Sequence, residues 1–160
     1  MLQTKSFKLD THPSSLCYIT VVADVSAKHG TQFKRIMFIS YATKVIDIEL
    51  PNSENLNTFT FTGKYSRTTS RQVTWFMHEL DRRFDTECLL RVVQQVNPLT
   101  LTMGEEVAKG VHDFAEHYWT DGLPLNPDTY YSRVREATGM ASENMVHLMP
   151  RKEVQHGSGN

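Results

Sequence analysis

The sequence predicts an α+β fold, with an antiparallel β-meander over about residues 16–62 followed by about four helices packed on one face of the sheet. Three observations predict it. Apolar and polar residues alternate along the first part of the chain, the apolar period lengthens to that of a helix after Gly63, and short turns join the alternating segments. The chain has 160 residues, 39% of them hydrophobic, which suffices for one domain with its own core. We expect residues 1–149 to form that domain.

Four alternating segments predict the strands of the meander. Each is rich in β-branched or aromatic residues and is bounded by a turn rich in polar residues or glycine. They run over residues 16–24, 33–41, 43–50 and 58–62. Their inward positions predict the following core residues: Ile19, Val21, Ile36, Phe38, Ile46, Ile48, Phe59 and Phe61.

Helical periodicity predicts four helices after the meander. They cover about residues 69–84, 86–96, 102–119 and 126–139. Thr69, followed three positions later by Gln72, matches a capping box and predicts the start of the first helix. Asn126 and Gly139 are typical of the two ends of the fourth helix. The apolar stripes add these residues to the predicted core: Phe76, Leu80, Val111 and Phe114.

Charge and composition narrow the classes of function. Seventeen Lys and Arg residues against eighteen Asp and Glu residues give a net charge of −1, so bulk charge provides no reason to bind nucleic acid or an anionic membrane. Cys17 and Cys88 lie within apolar patterns and are expected to be buried free thiols of a reducing cytosol. No segment approaches the ~18 apolar residues of a membrane span, and residues 1–10 lack the apolar centre of a signal peptide. We expect a cytoplasmic protein without a cofactor, with residues 150–160 as a disordered tail.

The segment after Gly63 has the composition of an anion-binding or partner-binding site. It crowds cations and hydroxyls in front of a predicted helix N-terminus, where free backbone N–H groups and the helix dipole favour an anion. The candidate site residues are Lys64, Tyr65, Arg67, Thr69 and Arg71. A nucleotide-binding Walker A loop is excluded, because Thr58 stands where its first glycine belongs and Tyr65 where its Ser or Thr belongs.

Catalytic and metal-binding patterns are weak in this sequence. His112 and His117 share a predicted helix, but five residues separate them and no other segment supplies spaced ligands, so no metal is expected. Cys17 with a distant histidine lacks the sequence context of a catalytic nucleophile. We therefore expect a protein that is not an enzyme.

Aromatic residues indicate a second candidate surface. Trp119, Tyr130 and Tyr131 bracket the loop at residues 120–127, and such residues are enriched at binding interfaces, although they also fill cores. Trp75 falls away from the apolar face of the first helix by roughly 100 to 160°. It is expected to be exposed or covered by another helix.

Two segments resemble a pattern of small accessory proteins of tailed bacteriophages. They are Ser40-Tyr41-Ala42-Thr43-Lys44-Val45 and Lys64-Tyr65-Ser66-Arg67-Thr68-Thr69-Ser70-Arg71. In that pattern a strand beginning S-Y-x-T leads, one hairpin later, to a K-Y-S-x-T-T-S turn and a helix. The resemblance covers residues 40–80 and implies a viral accessory protein in the cytoplasm of a host cell. It implies no particular activity.

Two functions remain open at this point. The first is a non-enzymatic accessory protein that binds and modulates a host protein or a defence complex. The alternative is a nucleic-acid-binding module that places the cations of residues 64–71 on phosphates, with Tyr65 stacking on a base.

Overall fold

An antiparallel sheet, in which strands adjacent in the chain are adjacent in space, forms the framework of the protein. The computed structural model describes residues 1–51, 56–63, 66–84, 86, 89–95 and 98–139. Within these ranges the strands are β1 (Leu2–Lys8), β2 (Cys17–Ser26), β3 (Gly30–Ser40), β4 (Thr43–Glu49), β5 (Thr58–Phe61) and β6 (Leu99–Thr102). Their order, β1-β2-β3-β4-β5-β6, confirms the predicted meander.

The structure adds β1 and β6 to the predicted sheet. In β1, Phe7 is the one buried side chain, so the alternation is too weak to identify a strand from the sequence. In β6, only Leu99 and Leu101 face inward. Pro98 directly precedes this strand, and in the sequence it indicates the end of a helix and a loop. Both strands are edges of the sheet, where less apolar surface is buried.

Helices cover much of one face of the sheet. The described helices are α1 (Arg67–Phe84), α2 (Leu89–Gln95), α3 (Glu105–Asp121) and α4 (Pro127–Thr138). The first three bury their apolar faces in one core with the inward side chains of the strands. All twelve residues predicted for the core are buried, and the predicted α+β class is confirmed.

The fourth helix differs from the others in its position. Tyr130 and Val134 of α4 pack on Tyr18, Met37 and Ile39. These strand residues alternate with those of the main core, so α4 lies on the opposite face of the sheet. Its predicted ends are confirmed.

The start of α1 was predicted two residues too late. The helix begins at Arg67, and the Ser66 hydroxyl accepts the backbone N–H of Thr69 at 3.2 Å. Ser66 is therefore the capping residue, and the capping box proposed for Thr69 and Gln72 is wrong. The side chains of Thr69 and Gln72 are buried instead, and their polar groups form hydrogen bonds with Ser40 of the sheet.

The two cysteines, the C-terminal residues and the helix lengths were also the subject of predictions. Cys17 is buried, as predicted, and burial raises the pKa of its thiol to about 11, although a hydrogen bond with Ser15 opposes the rise. Cys88 and residues 150–160 lie outside the described ranges. No helix in the described part of the chain is long and apolar enough to cross a bilayer.

Candidate functional site

The structure separates the residues of the predicted anion site. Arg67 and Arg71 are exposed on α1, as a binding site requires. Thr69 is 7% exposed and belongs to the interior. Lys64 and Tyr65 lie outside the described residues. Two of the five predicted site residues are thus placed on the surface, and a third has a structural environment.

A buried hydrogen-bond cluster explains the position of Thr69. The Ser40 hydroxyl, at the end of β3, lies 3.0 Å from Thr69 Oγ1 and donates to Gln72 Oε1 at 2.6 Å. The Ser66 hydroxyl donates to Thr69 Oγ1 at 3.3 Å. Ser40 begins the first segment of the phage-like pattern, and Ser66 and Thr69 belong to the second. The two segments therefore meet in space, where they fix the N-terminus of α1 on the sheet.

We predict that Ser40→Ala costs about 1 to 3 kcal/mol of unfolding free energy, because it leaves buried polar atoms of Thr69 and Gln72 short of a partner. Urea unfolding measures the loss. Ser14→Ala is the matched control: its hydroxyl is exposed, so its effect should stay within about 0.5 kcal/mol. Equal small effects of the two substitutions would show that the cluster does not hold α1.

Four exposed arginines define what we call the α1–α2 basic surface. They make no hydrogen bond or ion pair with any described residue, and they are Arg67, Arg71, Arg82 and Arg91. The three on α1 lie within about 60° of one another around the helix axis and span about 22 Å along it. This direction is opposite to the buried stripe of α1.

The other arginines of the described chain have hydrogen-bond partners, and some of its lysines have partners as well. Arg35 and Lys44 both contact Asp47 Oδ2, at 2.5 and 2.9 Å. Burial acts against the charge of Asp47, but these hydrogen bonds outweigh it and lower the pKa of the carboxyl. Lys5 lies 4.2 Å from the centre of the Trp119 ring. Arginines without a partner among the described residues are thus found on α1 and α2.

The acidic residues of α1 do not neutralise the positive charge of this surface. The Glu79 side chain is fully buried and accepts a hydrogen bond from the Tyr118 hydroxyl at 2.5 Å. The Asp81 carboxylate accepts the backbone N–H groups of Leu89 and Leu90 at 3.2 and 2.7 Å, which caps α2. The described part of α2 has no acidic residue. The solvent side of both helices, as far as it is described, is therefore cationic.

A small apolar cleft opens beside the arginines, between α1 and α2. Its volume is about 70 Å³, and its walls are almost entirely apolar. The lining residues are Phe61, Gly63, Thr69, Ser70, Val73, Thr74, Leu90, Val93 and Gln94. On α1, Ser70 and Thr74 lie between the buried stripe and the arginines, so the cleft and the α1–α2 basic surface are contiguous.

The predicted aromatic surface is not one surface. Tyr130 and Tyr131 pack around Tyr18 on the face covered by α4, and the Tyr130 hydroxyl donates to the carbonyl of Tyr41. Trp119 instead packs on Phe33, at the other end of β3. Tyr41 directly follows Ser40, the last residue of β3. Ser40 lies seven residues along the strand from Phe33, which is about 23 Å. These aromatic residues mainly join structural elements.

Trp75 lies on the exposed side of α1, and the structure decides between the two predicted environments. It is partly exposed, and the ring of His12 stacks on it with 3.7 Å between centroids and 5° between planes. Residue 12 belongs to the segment between β1 and β2, not to another helix. A pair of stacked rings therefore lies beside Arg71, one turn away on α1.

A cluster of ionisable groups joins the β1–β2 segment to α1 and α3. Asp10 Oδ2 lies 2.5 Å from His117 Nε2 and 3.3 Å from Arg83 Nη1, and the Asp10 amide donates to the Tyr118 hydroxyl at 2.9 Å. The sequence does not reveal this cluster, because its members are far apart in the chain. Glu79 completes it, and one of its oxygens, Oε1, is buried without a hydrogen-bond partner among the described residues.

Burial raises the pKa of Glu79, and the hydrogen bond from Tyr118 only partly opposes the rise. Asp10 adds to the rise, whereas Arg83 and His117 oppose it. Because the pKa is higher in the folded state than its ordinary value of 4.5, ionisation of Glu79 lowers stability as the pH rises above that value.

We therefore predict that Glu79→Gln becomes more stable relative to the wild type between pH 4 and pH 8, since the amide oxygen still accepts from Tyr118 without a buried charge. Thermal unfolding across this range measures the difference. A constant difference in melting temperature would contradict the raised pKa.

The described residues contain no group of three His, Cys, Asp or Glu side chains arranged to hold a metal ion. No family model, curated protein or solved structure matches this chain. Within the described ranges, the α1–α2 basic surface combines exposed arginines that lack a partner there with an apolar cleft beside them.

Proposed function

We propose that this protein is a non-enzymatic accessory protein of the bacteriophage type, which works in the host cytoplasm by binding an acidic surface of a host protein. The observation that carries the proposal is the α1–α2 basic surface, on which cations are exposed while the acidic side chains of α1 point inward or cap α2. The positive end of the α1 helix dipole lies at Arg67, so it adds to the positive potential of this surface.

Arginine suits this role because its guanidinium group binds a carboxylate through two parallel hydrogen bonds. Arginine is also enriched among the residues that dominate binding energies at protein interfaces. Arg67 and Arg71 make no hydrogen bond or ion pair with a described residue that binding would have to break. Their contribution to a complex is therefore not offset by the loss of such a contact.

Single-stranded nucleic acid is the second candidate partner. The stacked His12 and Trp75 rings lie next to Arg71, and aromatic rings beside cations are typical of surfaces on which bases stack. Two observations favour a protein instead. The chain has a net charge of −1, and the surface contains an apolar cleft.

We predict that Arg67→Glu/Arg71→Glu weakens binding of a fluorescent glutamate-rich peptide by about 2 kcal/mol or more, roughly 30-fold, because two charge-assisted contacts become repulsive. Fluorescence anisotropy measures the affinity. Lys28→Glu/Lys109→Glu is the control with the same change of charge, since both lysines are exposed outside the α1–α2 basic surface. Equal losses in the two double variants would show that only net charge matters, and the proposal would fail.

An oligonucleotide of the same length and a salt series separate the two partners. Contacts with single-strand phosphates lower log K against log salt by about 0.7 per phosphate. If the oligonucleotide binds more tightly than the peptide, with a slope of about −2 that Arg67→Glu/Arg71→Glu abolishes, the nucleic-acid candidate replaces the protein candidate.

A further inference from the structure

We propose that the cleft between α1 and α2 is an anchor pocket for one aliphatic side chain, the size of valine or leucine, carried by an acidic segment of the partner protein. This inference rests on the proposed function and specifies the chemistry of the partner. The cleft would provide the apolar contacts of the complex, whereas the arginines would provide the charged contacts.

The walls of the cleft determine which group it accepts. Of the lining residues, Val73 and Val93 are buried, and Leu90 is partly exposed. The methyl and methylene groups that line it offer dispersion contacts and almost no hydrogen bonds, so an apolar occupant fits better than a polar one. An apolar side chain that enters removes this surface from water.

The volume of the cleft favours a small aliphatic group over an aromatic ring. Cavities that take up benzene measure about 150 Å³, roughly twice the 70 Å³ found here. A nucleobase is larger than benzene, so only part of it could enter the cleft without movement of the helices. An isopropyl or isobutyl group is small enough. The cleft therefore favours a peptide over a nucleic acid at this position.

The charges around the cleft determine what flanks the aliphatic side chain. Ser70 and Thr74 form its edge on α1, and Arg67 and Arg71 lie on the neighbouring face of the same helix. Arg91 follows the lining residue Leu90 on α2. Carboxylates on both sides of the aliphatic residue would then meet cations of both helices. An Asp- or Glu-rich segment with one central Val or Leu matches this pattern.

Four synthetic peptides test the inference, each with two acidic residues on either side of a central Leu, Val, Phe or Ser. The Leu and Val peptides should bind at least tenfold more tightly than the Ser and Phe peptides, and they alone should shift the methyl NMR signals of Val73, Leu90 and Val93. Equal affinities for Leu and Ser, or unshifted methyl signals with the Leu peptide, would overturn the anchor pocket.

A variant that fills the cleft provides the second test. Thr74→Leu extends an apolar side chain from the edge of the cleft, and Thr68→Leu is its control on an exposed part of α1 that does not line it. Thr74→Leu should reduce affinity for the Leu peptide at least tenfold while Thr68→Leu leaves it unchanged, with both melting temperatures at or above that of the wild type. If Arg67→Glu/Arg71→Glu weakens binding but Thr74→Leu does not, the anchor pocket is wrong and the basic surface stands. If neither weakens binding, both proposals fail.

Discussion

Replacing Phe114 with alanine should destabilise the protein by about 3 to 5 kcal/mol, the largest effect that we expect of a side-chain truncation here. Phe114 is 0% exposed, and its ring packs on those of Phe76, Phe84 and Tyr118, with centroids 5.0 to 5.4 Å apart. Truncation removes this apolar burial and leaves a cavity where α1 and α3 meet. Urea unfolding followed by circular dichroism measures the loss.

Leu123→Ala is the control for the truncation of Phe114. Leu123 is a large apolar residue but is 49% exposed, so its truncation should cost less than about 1 kcal/mol. If Phe114→Ala costs no more than Leu123→Ala, then α3 does not pack against α1 as described.

Gly110→Ala should cost roughly 2 kcal/mol or more, although alanine is the better helix former by about 1 kcal/mol. A Cβ atom at position 110 would overlap the backbone carbonyl oxygen of Phe84 and lie 3.0 Å from Thr86 Cγ2. A carbonyl in the backbone cannot rotate away as a side chain can, so α3 must move away from the end of α1. Thermal unfolding measures the effect.

Ala substitution at a neighbouring exposed position of α3 separates packing from helix propensity. Lys109→Ala adds the same residue one position earlier, where the side chain faces solvent. It should change stability by less than about 0.5 kcal/mol. An increase in stability for Gly110→Ala would contradict the close approach of α3 to the end of α1.

The central strands could be predicted from the sequence because both of their neighbours are strands and one face is fully buried. In β2 and β3 this gives alternation over many residues, so the core positions Ile19 and Phe38 were correct. The edge strands β1 and β6 bury too little for such a pattern. The position of α4 could not be predicted either, because an apolar stripe does not say which face of a sheet it covers.

The candidate site was only partly predictable. Arg67 and Arg71 could be identified because they lie close together in a segment rich in cations and hydroxyls. Arg82 lies on the same side of α1, and helical spacing from Arg71 was a signal that could have identified it. Arg91 and the cleft depend on how α2 packs against α1, which the sequence does not state. Thr69 lies in a segment with the composition of a binding site, but it is buried and forms a hydrogen bond with Ser40 of a distant strand.

The two segments that resemble the phage pattern combine buried and exposed residues in this fold. Ser40, Ser66 and Thr69 hold the N-terminus of α1 on the sheet through hydrogen bonds, and this is a structural role. Arg67 and Arg71 alternate with them in sequence but point to solvent. Fixing the helix N-terminus also fixes the direction of the arginines. Stability and partner binding should consequently respond to different residues of one segment.

Site-specific photo-crosslinking tests the central claim, that the α1–α2 basic surface binds a host protein, most directly. A photoreactive amino acid is placed at Arg71, or at Thr100 on the uncovered part of the sheet, and the protein is irradiated in nuclease-treated bacterial lysate. We expect position 71 to form one main adduct with a protein that mass spectrometry identifies as having an acidic surface. Arg67→Glu/Arg82→Glu should abolish this adduct, and position 100 should form none. An adduct from position 100 but not from position 71, or one that only nucleic acid forms in untreated lysate, would contradict the account.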